Sequence, residues 1–118
     1  MIDYMNIPVW NLASSKVFYD TVLAPLGLSM VAKDGAAIGY GKRHWSFGIE
    51  QCEEKFAKPH FAYIANSENA VDKFHAATEK IGAKSIGEPG IWPYYVPYYY
   101  AAYLLDPNSH NVEAFFIE

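Results

Sequence analysis

The feature that most limits how this chain can fold is a pattern that runs twice along it. Tyr4 and His60 lie 56 residues apart, Phe18 and Phe74 the same distance, and Gly27 and Gly82 lie 55 apart. Around each set the sequence reads strand, helix, then three strands. In the first half Ile2 to Val9 alternates as a strand does, with Ile7 and Val9 on one face and Tyr4, Asn6 and Pro8 on the other. Asn11 supplies an N-cap, apolar residues follow at helical spacing through Leu26, and Gly27 offers a stop. Leu28 to Lys33, Ala36 to Gly41 and His44 to Gln51 are the remaining strands, with Asp34-Gly35 as a hairpin signal between the first two. In the last of them Trp45, Phe47 and Ile49 are expected on one face, and Ser46, Gly48 and Glu50 on the other.

After a charged connector, Cys52 to Pro59, the order restarts. His60 to Ala65 is a strand. Ser67 caps a helix carrying Val71, Phe74, Thr78 and Ile81 at spacings of three and four, and Gly82 ends it. Lys84 to Tyr98 holds three prolines among Trp92, Tyr94, Tyr95 and Tyr98 and reads as loop. Tyr99 to Glu118 is a hairpin whose turn is Asp106-Pro107-Asn108-Ser109-His110-Asn111. Alternation there sets Glu113 with Phe115 and Ile117, against Val112, Ala114 and Phe116. The halves share few identical residues, so the repeat is one of pattern. It predicts an α+β fold: a single domain over 1–118, built from two βαβββ modules, 1–51 and 58–118, whose mixed sheets curl to line a cleft.

Composition narrows the function. A net charge of −4 with no basic block argues against nucleic acid as a partner. Cys52 stands alone, so neither an internal disulfide nor a cysteine metal cluster can form. The opening residues show no secretory signal, and the apolar stretch Pro89 to Leu105 carries too many prolines and tyrosines for a membrane span. The expectation is a cytoplasmic protein with no membrane partner. Twenty aromatic residues, ten of them Tyr, suit a pocket wall or a subunit surface.

Overlaying the halves pairs Tyr4 with His60 on the first strands and Glu50 with Glu113 on the last. An ionised glutamate among aliphatic and aromatic residues needs a partner. One imidazole, two carboxylates and a phenol can hold a divalent ion such as Zn, Mn, Fe or Ni, though no local motif joins them. His44 and His75 read as surface residues, and His110 as a residue that shapes its turn.

The opening IDYMNIPVWNLASSKVFYDTVLAPLGL, the strand PHFAYIA, the helix AVDKFHAATEKIGA and above all YYAAYLLDPNSHNVEAFF resemble the glyoxalase / bleomycin resistance / extradiol dioxygenase superfamily, the vicinal oxygen chelate fold. The resemblance spans almost the whole chain. It implies paired βαβββ modules around a metal-centred cavity and frequent homodimers. The implied ion stabilises an enolate or oxyanion of a small oxygenated substrate. Residue by residue it makes His60, Glu113 and Glu50 the metal ligands, with Glu113 or Glu50 also a candidate general base. Tyr4 stands where relatives mostly carry His, and Tyr94 and Val96 stand in a loop that holds histidines in close relatives. Two readings follow. One is a metal-dependent lyase, isomerase or dioxygenase with Glu113, Glu50 and Tyr4 as catalytic residues. The other is a metal-free binding protein of the bleomycin-resistance type, in which Trp45, Trp92, Tyr94 and Tyr98 grip a small-molecule ligand.

Overall fold

The twofold pattern becomes two four-stranded sheets, each built from one half of the chain. A computed structural model describes residues 3–55, 58–93 and 96–117. In the first module β1 (Met5–Val9) leads into α1 (Leu12–Leu23) and a short 3-10 turn (Ala24–Leu26), then β2 (Ser29–Asp34), β3 (Ala37–Gly41) and β4 (Phe47–Gln51). In the second, β5 (Phe61–Ile64) is followed by α2 (Glu68–Ala76), α3 (Thr78–Ile81), β6 (Lys84–Ile91), β7 (Tyr100–Leu105) and β8 (Asn111–Phe116). The strand orders match: β1-β4-β3-β2 and β5-β8-β7-β6. In each sheet the first strand runs parallel to the last, and the other pairs are antiparallel.

Local chemistry sets the element ends. Asn11 caps α1 through its side-chain oxygen on the Ser14 amide, and Ser67 caps α2 on the Ala70 amide. Gly27 and Gly82 close the helical segments at φ of 80° and 68°, a conformation glycine adopts without a Cβ clash. The expected second helix is two, because the chain re-caps at Ala77 and Thr78 returns its hydroxyl to the His75 carbonyl.

Both sheets turn their apolar faces onto one core. Ile7, Val9, Ile38, Tyr40, Phe47 and Ile49 come from the first sheet, and Ala102, Leu104, Val112 and Ala114 from the second, packed around Phe18, Val22, Val71 and Phe74 of the helices. The opposite faces, carrying Glu50 and Glu113, therefore point away from the core.

Two strand expectations are corrected. Residues 84–91 form β6, not loop. It is an outer strand broken by register shifts between Ser85 and Gly87 and between Gly87 and Gly90, and an edge strand accommodates Pro89. Trp45 does not share a face with Phe47 and Ile49. It precedes β4, in the turn after β3, and its indole lies across Gly39 and Gly48 on the outer face. Among the described residues no helix is long and apolar enough to cross a membrane.

Candidate functional site

On the outer face of the second sheet, β5 and β8 run side by side and bring His60 against Glu113. The imidazole Nε2 lies 3.0 Å from Glu113 Oε1, and Nδ1 lies 3.0 Å from the Asn111 carbonyl oxygen. The Tyr99 hydroxyl donates to the other carboxylate oxygen, Oε2. The Glu113 side chain is 5% exposed and that of His60 49%, so the carboxylate forms the floor and the imidazole the rim.

These contacts fix the chemistry of the pair. A carbonyl oxygen only accepts, so Nδ1 carries a hydrogen. Nε2 of the neutral ring then turns a lone pair toward a carboxylate oxygen. Two acceptors at this separation need a positive centre between them: either a proton or a metal ion held by both. The imidazole nitrogen and the carboxylate oxygen are both donor types that would hold a divalent ion. The supporting contacts also match a metal half-site, in which the far nitrogen of the histidine and the second oxygen of the carboxylate are held by outer partners. The pair fits as two ligands of an ion. Among the described residues no three His, Cys, Asp or Glu side chains gather as a metal-binding group.

Glu50 is not part of this cluster. With Tyr4, Asn6, Asp34 and Trp45 it lines a separate cavity of about 390 Å³ on the outer face of the first sheet. Trp45 is pinned there: its Nε1–H donates to Asn6 Oδ1 at 2.8 Å, and Tyr4 meets the indole edge-on at 6.5 Å. Tyr4 and Glu50 thus line one cavity while His60 meets Glu113, on the outer faces of different sheets. One chain alone does not bring all four together.

Aromatic residues extend the second half-site. Trp92 sits edge-on to Tyr103 at 5.1 Å, and Tyr103 stacks beside His60 at 6.5 Å. The Trp92 indole N–H is spent on main-chain carbonyls, Ala101 at 2.9 Å and Glu88 at 3.2 Å, so the residue presents a fixed apolar wall. Tyr99 stacks flat on Phe115 at 5.1 Å. Tyr98 is half-buried and takes no part in this row among the described residues. Tyr94 lies outside the described residues. Sequence reasoning passed over Tyr103 and Asn6. Hairpin register was the available signal for one of them, because Tyr103 stands directly opposite Glu113.

Across the β7–β8 turn lies a buried polar cluster. Asp106 accepts from the Asn108 and His110 amides at Oδ1, and meets the Tyr19 hydroxyl and His110 Nδ1 at Oδ2, each at 2.6 Å. His110 shapes the turn, as expected. Ser109 takes φ of 65° at the tip.

No family model matches the sequence, and no curated protein does. Solved structures do. A glyoxalase/bleomycin resistance protein from Albidiferax ferrireducens T118 is 26% identical, with 98% of each chain covered and a TM-score of 0.83. A glyoxalase/bleomycin resistance protein/dioxygenase family enzyme from Burkholderia phytofirmans PsJN is 20% identical over 99% of this chain and 98% of its own, with a TM-score of 0.74. Lactoylglutathione lyase from Agrobacterium tumefaciens is 21% identical over 95% and 91%, with a TM-score of 0.67. These likenesses run end to end over both modules, and the chain has the fold of glyoxalase/bleomycin resistance proteins.

Proposed function

We propose that this protein is a small metal-dependent enzyme of the glyoxalase/dioxygenase type that acts on a small oxygenated substrate. The observation that carries the reading is the His60–Glu113 pair: two ligand-type side chains in contact, each held from behind, by Asn111 and by Tyr99. A bound divalent ion would supply Lewis-acid stabilisation of negative charge on substrate oxygen. His60 and Glu113 would hold it, with Tyr103 and Trp92 as an aromatic wall beside His60. The third ligand in this reading is Glu50 of a second copy, in a homodimer that closes the first half-site of one chain over the second half-site of the other. Exposed apolar groups on the outer faces support such closure: Ile64, across from Phe115 on the Glu113 face, is 67% exposed, and Tyr4 is 56% exposed.

Mixing variants tests this arrangement. His60→Ala and Glu50→Gln proteins should each bind metal poorly. A refolded equimolar mixture should regain binding, because a mixed dimer carries one site with His60, Glu113 and Glu50 all intact. Two variants that stay inactive together, in a mixture shown to contain mixed dimers, contradict the shared site.

A second reading has its own support. Both Glu113 oxygens already have protein partners and the face is rich in aromatic rings, as a metal-free binding protein would require. Saturable quenching of tryptophan fluorescence by a planar ligand in the presence of chelator, with no metal bound, would favour it.

A further inference from the structure

One well-formed cavity among the described residues belongs to neither half-site. It is a groove of about 460 Å³ between α1, the end of α3 and the β7–β8 turn. Its volume lies within the range of small-molecule sites, about 300 to 1,000 Å³. The walls are apolar: Val17 and Phe18 from α1, Ile81 beyond Thr78, and Leu105 and Pro107 from the far side. Val17 is 55% exposed although it lies on a mid-helix face beside the core residue Phe18, and Gly82 leaves open space where a side chain would stand.

Two charged residues line this groove, Lys84 and Asp106. Lys84 is its single cation, and among the described residues it makes no hydrogen bond or ion pair. The only acid in the lining is Asp106, whose two oxygens are turned inward onto Tyr19, His110 and the Asn108 amide. Its oxygens are thus committed to its own turn and to Tyr19, and among the described residues it forms no ion pair with Lys84. Ser14 and Ser109 add hydroxyls, and Ser109 holds the left-handed conformation that L-residues seldom adopt.

We infer that this groove binds a small amphiphile with a carboxylate head, its hydrocarbon body against Val17, Phe18, Ile81 and Leu105 and its head against Lys84. An apolar channel with one ammonium group outside any ion pair among the described residues matches that chemistry. A cationic amphiphile would meet only the committed carboxylate of Asp106, and a neutral one would leave Lys84 unused.

The test is a titration of the full chain with decanoate, decylamine and decanol below their aggregation thresholds, followed by amide and methyl NMR shifts. Decanoate is expected to saturate one site per chain, moving Val17, Ala83, Leu105 and Ser109, while decylamine leaves them still. Lys84→Gln, a change at an exposed strand residue, should weaken decanoate about tenfold, the loss of one charge-assisted contact. Val17→Asn, at an exposed helix position, should weaken it as well. The inference is overturned if no saturable shift occurs, if the shifts fall on the His60 and Trp92 face instead, if decylamine binds as well as decanoate, or if Lys84→Gln binds decanoate with the wild-type constant.

Discussion

The hydroxyl of Tyr19 and the carboxylate of Asp106, 87 residues apart, meet at 2.6 Å inside the protein and tie α1 of the first module to the β7–β8 turn of the second. Asp106 also gathers its own turn, accepting from two main-chain amides and meeting His110. The turn feeds β8, which carries Asn111 and Glu113, so the geometry of the second half-site rests on this cluster. Replacing Tyr19 by Phe removes one donor and leaves His110 on the same oxygen; the expected cost is about 1–2 kcal/mol of stability. Asp106→Ala orphans several buried donors at once and should cost about 3 kcal/mol or more. Urea denaturation measures both, and equal small losses would contradict the ranking.

The buried tyrosines give a pH dependence. Burial holds the hydroxyls of Tyr19, Tyr40 and Tyr63 above the ordinary tyrosine value of 10.0; Asp106 adds to the effect at Tyr19 and Tyr63, and Asp20 at Tyr40. Above pH 10 the unfolded chain loses these protons while the folded chain keeps them. Stability from these groups is therefore fully present below pH 10 and falls above it, by about 1.4 kcal/mol per pH unit for each tyrosine. Tyrosinate absorbance followed beside circular dichroism should show a set of tyrosines that ionises only as the fold is lost. Ionisation of every tyrosine near pH 10 in folded protein would contradict this.

Two glycines make room for Trp45. A Cβ on Gly48 would stand 2.1 Å from Asn6 Oδ1 and 2.5 Å from Trp45 Nε1, and one on Gly39 would stand 2.1 Å from the indole carbon Cδ2. Either alanine substitution should displace the ring, cost about 1–3 kcal/mol, and shift the tryptophan emission. An unchanged melting temperature and spectrum in Gly48→Ala would show that the indole does not lie across the sheet.

In the proposed metal site Tyr99 would act through Glu113, to which it donates a hydrogen bond. Tyr99→Phe keeps the ring stacked on Phe115 but removes the donor to Oε2. The expected loss of metal affinity is about tenfold to a hundredfold, the usual effect of removing an outer hydrogen bond to a ligand. Competition with a chromogenic chelator reads it directly, and wild-type affinity in the variant would remove Tyr99 from the account.

Much of this was legible in the sequence, for specific reasons. The alternation of Val112, Ala114 and Phe116 against Glu113 and Phe115 is a period-two signal, and β8 follows it. Asn11, Ser67, Gly27 and Gly82 are local cap chemistry, which survives any tertiary context. β6 was hidden because Gly87, Pro89 and Gly90 look like loop, and only an outer position with shifted register lets them pair. Trp45 departs from the alternation of Phe47 and Ile49 because it lies in the turn before β4, where period two no longer holds. The His60–Glu113 contact follows from the parallel pairing of β5 with β8. The separation of Glu50 from that pair follows from how two sheets share one core, which no spacing in the sequence records.

The central proposal is that His60 and Glu113 hold a divalent ion. Its most direct test is the metal content of untagged protein purified without chelator and incubated with Zn, Mn, Fe and Ni, wild type beside His60→Ala. The account predicts close to one ion per chain in the wild type and none in the variant. No bound metal in either protein would contradict it, and would leave a proton as the positive centre between the two side chains.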